Sequence, residues 1–157
     1  MPGLFYEQFS VGRVFDHEWG RTITEADNTW FSLMTMNPQP LHLDAEASAG
    51  TEFGQRLVNS LFTLGLMVGM SVNDTTFGTT IANLGFTDVR FPKPVFHGDT
   101  LKVRTTVESM RESKSRKNAG ILVLRHSAYN QRREEVATCL RTVMVRRRPE
   151  GPSPEPG

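Results

Sequence analysis

The sequence predicts an α+β fold in which an antiparallel sheet curls around one buried helix. Three observations predict it. From about Gln55 to Ser71 the chain reads as a helix with apolar residues on nearly every side, and such a helix sits inside something. The second half changes to alternating apolar and polar residues, the period of half-buried strands. Gly65 and Gly69 lie one helical turn apart, where a wrapped sheet could approach the backbone closely despite their low helix propensity.

Taken in order, Val11 to Trp19 mixes apolar and polar residues without a clear period. Thr24-Glu25-Ala26-Asp27 is a hydroxyl-x-x-acid pattern that satisfies free amides, so a short helix is expected from about Glu25 to Met34. In the next segment, Thr35 to Asp44, Pro38 and Pro40 flank Gln39 and are expected to exclude regular helix and stiffen the loop. Asp44, two residues after His42, could orient the imidazole, but ahead of Ala45-Glu46-Ala47 the favoured reading is a helix N-cap. The central helix carries Leu57, Val58, Leu61, Phe62, Leu64, Leu66, Met67 and Val68.

Thr80 to Phe91 is a strand candidate with Gly85 as a bulge. Leu101, Val103, Thr105 and Val107 alternate with Lys102, Arg104, Thr106 and Glu108, and Ile121–Ala128 and Val136–Val145 are two further strands. His97-Gly98-Asp99 and Tyr129-Asn130-Gln131 read as turns, so an antiparallel meander is expected. This is the hot-dog arrangement, with a small barrel or an open sandwich as alternatives. One domain over 1–148 is expected, with a disordered proline-rich tail at 149–157.

Composition narrows the function classes. A net charge of +1, from 18 basic and 17 acidic residues, argues against a general nucleic-acid binder. The apolar run Leu57–Val72 is interrupted by Asn59, Ser60 and Thr63 and falls short of the ~20 residues of a membrane span. The first residues show no export signal, and the single Cys139 cannot form an internal disulfide, so a reducing cytoplasm is the expected compartment.

Adding water to a double bond conjugated to a thioester needs a base, a proton donor for the α carbon and amide donors for the enolate oxygen. His42 is the candidate base, because imidazole titrates near neutral pH and the flanking prolines could hold it; the plainer alternative is a loop histidine bonded to a carbonyl. Asn37, five residues earlier, could orient a water, or could simply form a turn. Amides near Asn59 and Ser60, at the start of the central helix, suit an enolate oxygen. Arg90, Lys93, Arg111, Lys114, Arg116 and Lys117 could bind phosphates or a substrate carboxylate, although each alone is more often a solvated surface charge.

At Asn37-Pro38-Gln39-Pro40-Leu41-His42-Leu43-Asp44 the chain resembles the MaoC-like dehydratases, the (R)-specific enoyl-CoA hydratases. Leu57-Val58-Asn59-Ser60, Ala82-Asn83-Leu84-Gly85, Pro94 to Leu101, Arg111 to Arg116 and Asn130-Gln131 extend the likeness, toward the branch of mesaconyl-CoA hydratases. The resemblance implies a hot-dog fold and a dimer whose sheets join edge to edge. It also implies a pantetheine tunnel, a site at the subunit interface and no cofactor besides the coenzyme A of the substrate. A catalytic aspartate and an asparagine of the family fall on Asn37 and Gln39, and a His-Gly pair falls on Asn59-Ser60. Asparagine cannot take a proton as a carboxylate would, so His42 becomes the principal base. A helix serine of some members falls on Val68. The implied substrate is a short, branched C5 dicarboxylyl 2-enoyl-CoA such as mesaconyl-CoA or itaconyl-CoA. Rivals are a hot-dog thioesterase using Glu52 and a non-catalytic acyl-CoA-binding subunit.

Overall fold

A computed structural model describes residues 3–149; apart from Pro149, the expected disordered tail lies outside the described residues. The elements run β1 (Val14–Asp16), β2 (Arg21–Thr22), α1 (Glu25–Met34), α2 (Pro40–Leu43), α3 (Ala45–Ala49), α4 (Ser60–Val72), β3 (Thr80–Arg90), β4 (Thr100–Glu112), β5 (Ala119–Tyr129) and β6 (Glu135–Arg146).

All sheet pairing is antiparallel, and the order is β1-β4-β5-β6-β3, with β2 also on β4. β4, β5 and β6 form the expected meander. β3 departs from it: instead of pairing with β4, its neighbour in sequence, it crosses to the far edge and pairs with β6. Alternation specifies which face a strand buries, not which strand lies beside it. The ladder shifts register between Asn83 and Gly85, where a bulge was expected.

The central helix α4 packs on β4, β5 and β6. Met67 joins Val103, Ala128, Ala137 and Cys139 in the core beneath it. A second cluster at the other end of the sheet gathers Tyr6, Phe9, Val107, Leu122, Leu124 and Val143.

Three local expectations need correction. α4 begins at Ser60, and Gln55 to Asn59 lies outside any helix, with Leu57 bridged to Phe96. Pro38 and Pro40 do not exclude helix: Pro40 opens the one-turn α2, because a proline at the first helical position forfeits only an amide that has no partner there. Gly65 and Gly69 do not face the sheet, and a Cβ on either would meet open space.

Candidate active site

Four segments converge on His42. Thr24 caps α1 with its hydroxyl accepting from the Asp27 amide, and the Asp27 carboxylate accepts from the Thr24 amide in return. Past α1, the Asn37 side-chain oxygen accepts from the Gln39 amide at 3.2 Å and turns the chain into α2. Asp44 caps α3 by accepting from the Ala47 amide at 3.0 Å, as expected. The buried Ser48 hydroxyl donates back toward the Pro40 and Leu41 carbonyls, and the Leu57 amide donates to the Leu41 carbonyl. His42 therefore sits on a braced single turn.

The half-buried imidazole donates Nδ1–H to the Leu57 carbonyl at 2.8 Å. A carbonyl can only accept, so in the neutral ring Nε2 keeps its lone pair. The bond to a carbonyl, the plainer alternative for this residue, is thus the feature that leaves a basic nitrogen free.

Leu57 also lines a cavity of about 220 Å³ together with Phe53, Ser60, Thr63, Lys93 and Val136. His42 is not part of this wall; it is one hydrogen bond behind it. Ser60 opens α4, where amides lack an intrahelical acceptor and the helix dipole favours negative charge. Asn59 is buried as the cap of α4, its Oδ1 accepting from the Leu61 amide at 3.1 Å and its Nδ2 donating to the Ser32 hydroxyl at 3.4 Å. These bonds occupy the Asn59 side chain and the Leu61 amide structurally, and of the pair Asn59-Ser60 it is Ser60 that lies on the cavity wall.

The other expected residues separate. Gln39 is exposed and lines a different cleft with Pro40, Leu41 and Thr51. Lys93 is on the cavity wall, 3.9 Å from Glu134. Arg90, paired with Asp88 at 2.8 Å, lies one residue before the cavity-lining Phe91. Arg111 and Arg116 do not join the site within one chain. Arg111 stands ten residues along β4 from Leu101, roughly 33 Å at strand rise, and Arg116 lies in the turn beyond it. Among the described residues no group of three or more His, Cys, Asp or Glu side chains is placed to hold a metal ion, and no helix is long and apolar enough to cross a membrane.

Two residues enter that sequence reasoning had not placed in the site. Asn28, fully buried on α1, donates to the Leu57 carbonyl at 3.0 Å and to His97 Nε2 at 2.9 Å. Burial, and then the Arg56 charge, lower the His97 pKa below its usual value. His97 was legible only as part of a turn, and a polar residue inside an amphipathic helix carries no signal of its own.

Of the thirteen residues of α4 only Thr63, Met67 and Ser71 are buried, so the helix lies with one face on the sheet rather than being enclosed as its apolar sequence predicted. A helix packed in this way on a curled antiparallel sheet, with a cavity at the helix start, defines a hot-dog protein. A double hot-dog protein of Mycobacterium tuberculosis shares the fold with a TM-score of 0.84 at 24% identity, over 99% of this chain and 47% of that one. The chain belongs to the family of the MaoC like domain, whose model matches residues 7–128. It is 34% identical to a beta-methylmalyl-CoA dehydratase of Chloroflexus aurantiacus, over 98% of this chain and 44% of that protein. It is 30% identical to a mesaconyl-CoA hydratase of Cereibacter sphaeroides, over 98% of this chain and 45% of that protein. The chain therefore spans a little under half the length of these two relatives.

Proposed function

We propose that this chain reversibly hydrates a short 2-enoyl-CoA thioester, carried by the single domain expected over 1–148. The observation that carries the proposal is the His42 Nδ1–H bond to the Leu57 carbonyl, which leaves Nε2 with its lone pair one hydrogen bond from Leu57, a residue of the cavity wall that also includes Ser60. Nε2 takes a proton from water as the oxygen bonds to the β carbon. The electron pair of the double bond moves onto the thioester oxygen, where the Ser60 amide and the dipole of α4 hold the enolate. The imidazolium then returns its proton to the α carbon, and dehydration is the reverse. Asn37 orients the water through its Nδ2, since its Oδ1 accepts from Gln39.

The substrate we propose is a branched C5 dicarboxylyl thioester such as mesaconyl-CoA or itaconyl-CoA, in keeping with the two relatives. Lys93 on the cavity wall and Arg90, one residue before the cavity-lining Phe91, are the cations proposed for its polar ends. We also propose a homodimer formed through β3, an edge strand that exposes Leu84, Phe86 and Val89.

Loss of conjugated thioester absorbance with mesaconyl-CoA, itaconyl-CoA and crotonyl-CoA tests this directly. His42→Ala is expected to lower kcat by about 10²–10⁴, the usual contribution of a general base. Equal rates in the two proteins reject the role of His42. Release of free thiol without hydration replaces the proposal with a thioesterase.

A further inference from the structure

Asn28 is 0% exposed, and its carboxamide bonds to groups on three different segments around the site. Nδ2 donates to the Leu57 carbonyl at 3.0 Å and to His97 Nε2 at 2.9 Å, with a longer contact of 3.3 Å to the His42 carbonyl. Oδ1 accepts from the Asn59 amide at 2.8 Å, the residue that caps α4. Two close acceptors for the two N–H groups and a donor for the carbonyl oxygen match an amide.

The Leu57 carbonyl is the common element. It receives the His42 Nδ1–H at 2.8 Å and the Asn28 Nδ2–H at 3.0 Å, so both of its lone pairs are used. With two donors fixing its direction, the carbonyl holds the imidazole in one tautomer and one orientation. The same carboxamide holds the Asn59 amide and so fixes where α4 starts and where the Ser60 amide lies. A proton acceptor and an oxyanion donor on different elements are thereby referred to one buried group. Displacements of about 1 Å between such groups can cost 10²-fold in rate.

We infer that Asn28 is a positioning residue that sets the His42 tautomer and its register with the Ser60 amide. This rests on the hydratase proposal above for its catalytic consequence, but not for its structural one.

The test compares Asn28→Leu and the isosteric Asn28→Asp with Thr24→Ala, which loosens the same helix at its cap and leaves the carboxamide in place. Ring-nitrogen NMR shifts of His42 are recorded alongside kcat, KM and the pH profile. In Asn28→Leu, His42 is expected to change from a single Nδ1–H form to a mixture of tautomers. Its kcat should fall by about 10- to 100-fold with KM changed less than about threefold. In Asn28→Asp, a carboxylate next to His97 and the His42 segment favours protonated imidazole, so the acid limb of kcat/KM moves to higher pH. Thr24→Ala should alter none of these beyond its effect on the folded fraction. A His42 tautomer unchanged in both Asn28 variants overturns the inference. If Asn28→Leu does not fold, Asn28→Asp decides by tautomer and acid limb together. If the wild-type protein shows no hydration, the tautomer measurement still decides the role of Asn28, and only the hydratase proposal falls.

Discussion

His126 shows at the scale of one residue what burial does to a titratable group. It is fully buried on β5, with Nδ1 2.9 Å from the Thr105 hydroxyl, which in turn meets His17 Nε2 at 2.8 Å. His17 Nδ1 continues the chain to Asp74 at 2.8 Å. Burial, followed by the charges of Arg141 and His17, pushes the His126 pKa down to about 3. The unfolded chain takes up a proton near pH ~6.5 that the folded chain refuses, so stability is complete above that value and declines as pH falls toward 3. His126 alone should contribute a slope approaching about 1.4 kcal/mol per pH unit inside that window. Urea unfolding at a series of pH values should show it, and a non-titrating His126→Gln should flatten the profile; an equal slope in both proteins contradicts this account. Neither His126 nor Asn28 stands out along the chain, because a polar residue in a strand or helix reads the same until its surroundings are known.

Secondary elements were more legible where the signal is local. The start of α1 follows from Thr24 and Asp27, and the Asp44 cap from its own side chain, since capping bonds join residues three apart. α2 was missed because a proline inside a loop and a proline at the first position of a helical turn look alike in sequence. Gly120 is another case that only packing reveals: a Cβ there would run into the ring of Tyr6, which closes the far end of the core. Gly120→Ala should therefore destabilise the protein by roughly 1–3 kcal/mol by displacing Tyr6. Thermal unfolding checks this, and Tyr6→Ala in the same background should remove most of the added penalty of the methyl group.

For the molecule as a whole, the unpaired edge of β3 and its neighbours carry a group of exposed apolar side chains. Leu84, Phe86, Val89 and Phe91 on or just past β3 are exposed, and so are Trp30 and Met34 on α1 and Leu61 on α4. An open edge strand with apolar side chains is a template for pairing with another chain. Replacing Leu84 and Phe86 by aspartate should turn a species with the mass of two chains into one with the mass of a single chain in sedimentation. A wild-type protein that already sediments as one chain sinks the dimer proposal.

By itself the sequence determined the α+β class, the strand alternation and the helix caps, all properties of residues close together along the chain. Tertiary structure alone decided that β3 crosses to β6, that Arg111 and Arg116 lie far from His42 in the same chain, and that Asn28 joins Leu57, His97 and Asn59. The physical reason is range. Periodicity and capping act over three or four residues, whereas a hydrogen bond between groups some thirty to seventy residues apart exists only after the intervening chain has folded.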